Sequence, residues 1–185
     1  MVLTPSKMLQ LGTRLPPFKL QDPETGKLLD ASIIPATSKG VLVAVICNHC
    51  PYVVHIRDCF AALATEFTAR GIYVMAVSAN DAERYPEDSP ANMRRDKTGF
   101  AFPYLYDEQQ QFVKDLAAAC TPDFFLFDAQ RQLVYRGRFD GSRPHSEIPV
   151  TGEDLRAAMA ALLNAEPISA EQLPSMGCNI KWREK

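Results

Sequence analysis

At 185 residues the chain has the length of one ordinary domain, too long for a disulfide-stapled mini-protein and too short for two enzyme domains. Hydrophobic residues at 46% and charged residues at 23% exclude disordered and fibrous classes. Twenty Lys and Arg against 22 Asp and Glu leave a net charge of −2, so no basic footprint points to a nucleic acid or a membrane as partner.

Residues 1–20 contain Pro5, Pro16 and Pro17 and build no apolar core of a secretory signal, so a cytoplasmic location is expected. Residues 17–29 alternate around a turn at 22–26 and predict an N-terminal β-hairpin. The β-branched run 41–46, the longest apolar stretch and far short of the ~20 residues of a membrane helix, reads as a strand buried on both faces. Apolar residues Val54, Phe60, Leu63, Ala64 and Phe67 recur at helical spacing over 50–70, with Gly71 as a stop. A second buried strand at 72–78 completes a β-α-β unit.

A polar loop at 80–90 follows, then a short helix capped by Ser89 with Pro90 at its first position. Further on, 102–106 reads as a strand, 108–119 as a helix, and 124–127 with 133–138 as a hairpin. The last amphipathic helix covers 151–164. The expected organisation is a domain at 1–164 and a C-terminal tail at 165–185 that packs on it.

Cys47-Asn48-His49-Cys50 stands directly after the buried strand and opens the following helix. Cysteines at i and i+3 of a first helical turn share a face, roughly 5–6 Å apart at Cβ, within a modest adjustment of disulfide geometry. A thiolate there meets free N–H groups and the positive end of the helix dipole, so the pKa of Cys47 is expected to fall. Pro51 costs little, because the first helical N–H groups lack intrahelical partners. The pair reads as a dithiol/disulfide couple with both sulfurs facing outward from the first coil of the helix.

Other readings compete. Buried cysteines are often simple small hydrophobes. Structural zinc needs further ligands at knuckle spacing, which Cys120 and Cys178 do not supply. A protonated His49 would stabilise the thiolate and make the disulfide more oxidising; a solvent-facing His49 would do little. His55 falls along the helix and His145 in a loop. The 80–90 loop leaves the carboxyl end of a strand parallel to 41–46, which makes Asn80, Asp81 and Tyr85 candidate rim residues.

The chain resembles the thioredoxin superfamily, and within it the peroxiredoxin-like (AhpC/TSA) redoxin branch with a C-x-x-C motif. The resemblance rests on Cys47-Asn-His-Cys-Pro-Tyr-Val53, Tyr85-Pro-Glu-Asp-Ser-Pro90, Cys120-Thr-Pro-Asp-Phe-Phe-Leu-Phe-Asp128, Val134-Tyr-Arg-Gly-Arg138 and Gly177-Cys-Asn-Ile-Lys-Trp182. It implies an α/β thioredoxin-like fold: a mixed central sheet flanked by helices, with the N-terminal hairpin. It also implies thiol–disulfide exchange in cell redox homeostasis, Cys47 attacking and Cys50 resolving. Pro122 is then cis, and Thr121 and Pro122 present backbone to the substrate. Expected partners are protein or low-molecular-weight disulfides and a thiol electron donor; no cofactor and no bound metal are expected.

Peroxiredoxins carry Pro-x-x-x-Thr-x-x-Cys, whose cysteine aligns with Cys50; here Val43 and Cys47 take the proline and threonine positions. Without that hydroxyl and an arginine to polarise the O–O bond, a peroxidase with Cys50 as peroxidatic cysteine is the alternative rather than the first reading. Arg136 or Arg138 would substitute only if the fold brings one near Cys50. A thioredoxin-fold Cu(I) chaperone is a further alternative, short of a histidine clearly placed as third ligand. Cys178 and Cys120 are auxiliary candidates, with packing the favoured reading of both and of Cys59.

Overall fold

The computed structural model describes residues 3–96 and 99–184. In chain order its elements begin with β1 (Leu3–Pro5), β2 (Lys19–Gln21), β3 (Leu28–Asp30), β4 (Gly40–Val45), α1 (Pro51–Ala69) and β5 (Ile72–Ser78). There follow α2 (Pro90–Asp96), β6 (Tyr104–Tyr106), α3 (Gln111–Asp115), β7 (Cys120–Thr121), β8 (Asp123–Asp128), β9 (Leu133–Gly137), α4 (Glu153–Leu163) and β10 (Met176–Asn179).

The β-branched run forms β4, all six of whose residues are buried, between β5 and β8 in a seven-stranded sheet ordered β3-β2-β6-β5-β4-β8-β9. β4 and β6 both pair parallel with β5, while β8, β9, β2 and β3 run antiparallel to their neighbours. Side chains alternate across the sheet. Leu42, Ala44 and Ile46 therefore join the core under α1 and α4, and Val41, Val43 and Val45 the core that holds Phe18, Phe112 and Leu116. The mixed sheet, the flanking helices and the β2–β3 hairpin are those the sequence predicts.

Two elements differ from the sequence expectation. The helix predicted at 108–119 shrinks to α3, because Gln110 and Ala117 adopt left-handed backbone at φ 60° and 53° and bracket it. Buried Asp107 further shapes its start by accepting the N–H of Val113 at 2.9 Å. The tail is not merely laid over the domain. Its strand β10 sits between β1 and β7 in a second, three-stranded antiparallel sheet. Among the described residues no helix is long and apolar enough to cross a membrane.

β4 and β5, being parallel, end at the same edge, so the segment after β4 and the 80–90 loop after β5 meet there. Phe60 of α1 anchors the helix over that edge through ring contacts with Phe100, Phe102, Phe124 and Phe139. Phe60→Ala should lower unfolding free energy by about 3–5 kcal/mol, measured by urea denaturation of the reduced protein; a loss under about 1 kcal/mol would show that the cluster does not hold α1.

Candidate active site

Pro51 opens α1, and the residue before a proline is steered out of helical conformation. Cys50 accordingly has extended backbone (φ −71°, ψ 121°) and stands as the N-cap, while its carbonyl accepts the N–H groups of Val53 and Val54 at 3.0 Å each. This corrects the expectation that Cys47 lies within the first helical turn: it lies before the helix, and the positive helix end acts on Cys50. The outward-facing expectation is corrected too. Cys47 is 1% exposed and Cys50 0%, because β4 and its continuation run through the core.

Cys47 and Cys50 nevertheless each shift the pKa of the other, and both sulfurs lie against Thr121 of β7. Its hydroxyl lies 3.4 Å from Cys47 Sγ, and its carbonyl lies 3.2 Å from Cys50 Sγ, from which it accepts only while that thiol is protonated. The Thr121–Pro122 peptide is cis, as the resemblance implies, and carries the chain from β7 past the sulfurs into β8. On the far side, Cys178 Sγ of β10 approaches Cys50 Sγ to 2.9 Å. No disulfide joins any of the five cysteines.

Charge on this cluster collects at Cys50. Hydrogen bonding from Cys47 lowers its pKa to about 5 against the opposing effect of burial, with Cys178, Thr121 and the N–H of Val53 adding to it. Cys47 moves the other way, raised by its bond to Cys50, by burial and by the nearby Asp88 carboxylate. The expected fall in the Cys47 pKa therefore belongs to Cys50, chiefly through Cys47, with the N–H of Val53 at the helix start a smaller contribution in the same direction.

Asp88, which sequence reasoning overlooked, organises the other wall. It is fully buried in the 80–90 loop and accepts the backbone N–H of Asn48 at 2.7 Å and the Asn80 amide at 2.8 Å. His49 Nδ1 lies 2.7 Å from Asp88 Oδ2, the oxygen that also accepts from Asn80, an ion pair in which the ring N–H is not aligned as a hydrogen bond. Burial pushes the Asp88 pKa up, but these donors and the His49 charge more than reverse it. Contact with Asp88 in turn raises the His49 pKa against the effect of burial.

Of the rim candidates, Tyr85 stacks on His49 (5.9 Å between centroids, 8° between planes), and Asn80 holds Asp88 while accepting the N–H of Lys181 at 2.9 Å. Asp81 is buried and turned to the tail, donating its N–H to the Lys181 carbonyl at 2.9 Å. The ligand atoms of Cys47, His49 and Asp88 lie within 4.8 Å of one another, so a histidine does stand beside the thiols, contrary to the copper argument above. Asp88, however, already has its oxygens engaged by Asn48, Asn80 and His49.

The remaining candidates are dispersed. Cys120 is buried with its thiol on the Pro122 carbonyl at 3.7 Å, and burial pushes its pKa far up. His55 contacts Ser142 at 3.1 Å beside a cavity of about 60 Å³ that Pro122 and Tyr52 also line. His145 is exposed. Arg136 bonds Gln172 at 2.8 Å and Arg138 pairs with Asp154 at 2.6 Å, so both guanidinium groups are engaged away from Cys50. A second overlooked carboxylate, Asp123, is buried beside Pro122 and accepts from Ser6 at 3.0 Å; burial raises it to about 7. The Asp88 and Asp123 positions fall inside quoted motifs, which was the available signal.

A mixed sheet whose parallel strand delivers two cysteines to a helix N-terminus, opposite a cis-proline, defines a thioredoxin-like redox protein. Residues 10–155 match the Redoxin family model, and the chain belongs to that family. An uncharacterized conserved protein from Geobacillus kaustophilus shares 44% identity and a TM-score of 0.96, over 100% of this chain and 98% of its own. A hypothetical protein from Sinorhizobium meliloti shares 43% identity and a TM-score of 0.94, over 98% of this chain and 100% of its own. A putative thiol:disulfide interchange protein from Chlorobium tepidum shares the fold at 20% identity and a TM-score of 0.63, over 84% and 99%. No curated relative matches the chain.

Two titrations check the electrostatics. In the reduced protein, ultraviolet thiolate absorbance should rise with a midpoint near 5, vanish in Cys50→Ser, and shift upward in Cys47→Ser. Because the folded pKa lies below the unfolded value of about 8.5, this thiolate stabilises the reduced form above that value and ceases to as pH falls through about 5. An unshifted midpoint in Cys47→Ser would contradict the assignment.

For His49, the proton-NMR midpoint should exceed the ordinary value of about 6.5 and drop in Asp88→Asn. Its contribution to stability is complete below the unfolded pKa and disappears as pH rises through the folded one. Equal midpoints in the two proteins would remove Asp88 as the cause.

Proposed function

We propose that this chain is a thiol–disulfide oxidoreductase that alternates between a Cys47/Cys50 dithiol and a Cys47–Cys50 disulfide. The observation that carries the reading is the sulfur of Cys50, the N-cap residue of α1, its pKa depressed to about 5 chiefly by Cys47, with Cys47 and Cys50 both lying against Thr121, which precedes cis-Pro122. A standing thiolate is the nucleophile in exchange, so Cys50 attacks the partner disulfide and Cys47 resolves the mixed disulfide. The reverse order would require ionising Cys47, which burial, Cys50 and Asp88 all oppose. Protonated His49, beside Cys47, stabilises the thiolate form and so makes the disulfide more oxidising.

Both sulfurs are covered, so exchange follows an opening of the surrounding segments, after which Thr121 and Pro122 offer backbone to an extended partner. Partners are protein or low-molecular-weight disulfides, the reductant is a thiol donor, and the setting is cytoplasmic. Oxidised wild type should yield the Cys47–Cys50 disulfide on peptide mapping. Reduction of insulin or of glutathione mixed disulfides should be abolished in Cys50→Ser and fall at least about tenfold in Cys47→Ser. Full activity in Cys50→Ser would sink the proposal.

A peroxidase reading draws on two of the same observations: the Cys50 thiolate and the Thr121 hydroxyl, which replaces the one missing at Cys47. The engagement of Arg136 and Arg138 elsewhere stands against it. Fast peroxide consumption that survives Cys47→Ser and dies in Cys50→Ser would install it. Stoichiometric Cu(I) uptake without turnover would favour a metal carrier.

A further inference from the structure

The thiol cluster has a third member that the Cys47/Cys50 couple leaves unused. Cys178 reaches Cys50 from β10, with the sulfurs 2.9 Å apart. That separation is above the ~2.05 Å of a disulfide but closer than unbonded sulfurs ordinarily rest. It is built by the tail's register rather than by a chance side-chain rotamer. Cys178 is paired across the ladder with Thr121, the residue that touches both Cys47 and Cys50. One residue earlier, Gly177 lies so close that a Cβ there would collide with the Thr121 carbonyl, so only glycine lets β10 approach this far.

The flanks hold β10 in place. Ser175 donates its hydroxyl to the Gly137 carbonyl at 2.6 Å, and the N–H of Ile180 reaches the Ala119 carbonyl at 3.2 Å. Lys181 exchanges hydrogen bonds with Asn80 and Asp81 of the loop that carries Asp88. Cys50 thus has Cys178 at 2.9 Å and shares Thr121 with Cys47.

We infer that Cys178 is a second resolving thiol: it attacks Cys50 in competition with Cys47, and the product is a Cys50–Cys178 disulfide that ties β10 to the start of α1. The inference rests on the proposed function. In the step, Cys50 has displaced one sulfur of a partner disulfide and is bonded to the other. Cys178, deprotonated, attacks Cys50 Sγ; the Cys50–partner bond breaks as the Cys50–Cys178 bond forms. The leaving partner sulfur takes the electron pair and then a proton. The Cys50/Cys178 dithiol is oxidised by two electrons and the partner disulfide is reduced to two thiols.

In the resting protein burial, with Cys50, holds the Cys178 thiol up at about 12. Once Cys50 is bonded to a partner sulfur its charge is gone, and that part of the opposition disappears. Lys181 acts in the favourable direction throughout.

Full-length wild type, Cys47→Ser, Cys178→Ala and the Cys47→Ser/Cys178→Ala double variant would be oxidised with diamide and peptide-mapped without reduction. Glutathione-mixed-disulfide turnover would be followed in parallel. Cys47→Ser should form one intramolecular disulfide, Cys50–Cys178, and turn over at least about tenfold faster than the double variant, which should accumulate the Cys50 mixed disulfide. A Cys47→Ser protein with no Cys50–Cys178 linkage, or one that stalls as the double variant does, overturns the inference. The parent reading fails separately: it requires a Cys47–Cys50 disulfide in Cys178→Ala, whose own folding is checked by urea denaturation.

Discussion

The position of Pro51 governs the chemistry of this protein. By steering Cys50 into extended backbone and starting the helix immediately afterwards, it makes Cys50 the N-cap of α1. The positive helix end then lies at Cys50 rather than at Cys47, three residues earlier, and adds to the lowering of the Cys50 pKa that Cys47 chiefly causes.

Around that charge the fold assembles two walls from opposite ends of the chain. One is the 80–90 loop, where buried Asp88 gathers Asn48, His49 and Asn80 by hydrogen bonds and an ion pair. The other is the β1-β10-β7 sheet, which brings Thr121 and Cys178 to the sulfurs. Asn80 and Lys181 join the walls through a 2.9 Å hydrogen bond. Asp123 fastens the second wall at its base, accepting from Ser6 beyond β1. The result is a buried thiol cluster, where electrostatic effects are stronger than at a surface.

Much of the scaffold was legible because its elements are defined by local patterns. The run 41–46 has no polar residue and is β-branched at four of six positions, so burial on both faces follows from composition. The α1 stripe and the Ser89-Pro90 helix start are likewise local, although Val54 of the predicted stripe is exposed and Val53 and Ile56 are buried in its place. The helix at 108–119 was overextended because left-handed backbone at Gln110 and Ala117 leaves no periodic trace in sequence. At the site, the pair Cys47/Cys50 and Thr121-Pro122 carried motif signals. Asp88 and Asp123 did not stand out, since acidic residues in loops are common and only burial gives these their weight.

The sequence by itself determined that a thiol pair follows a buried strand and opens a helix, because strand burial, helix periodicity and proline placement are all written within a few neighbouring residues. Tertiary structure decided the rest: that the pair is covered, that Cys50 rather than Cys47 carries the charge, and that a third sulfur from position 178 reaches Cys50. The reason is physical. The pKa of a thiol depends on the groups packed around it, and here those groups arrive from loop, ladder and tail segments far away along the chain, at distances that only the folded backbone sets.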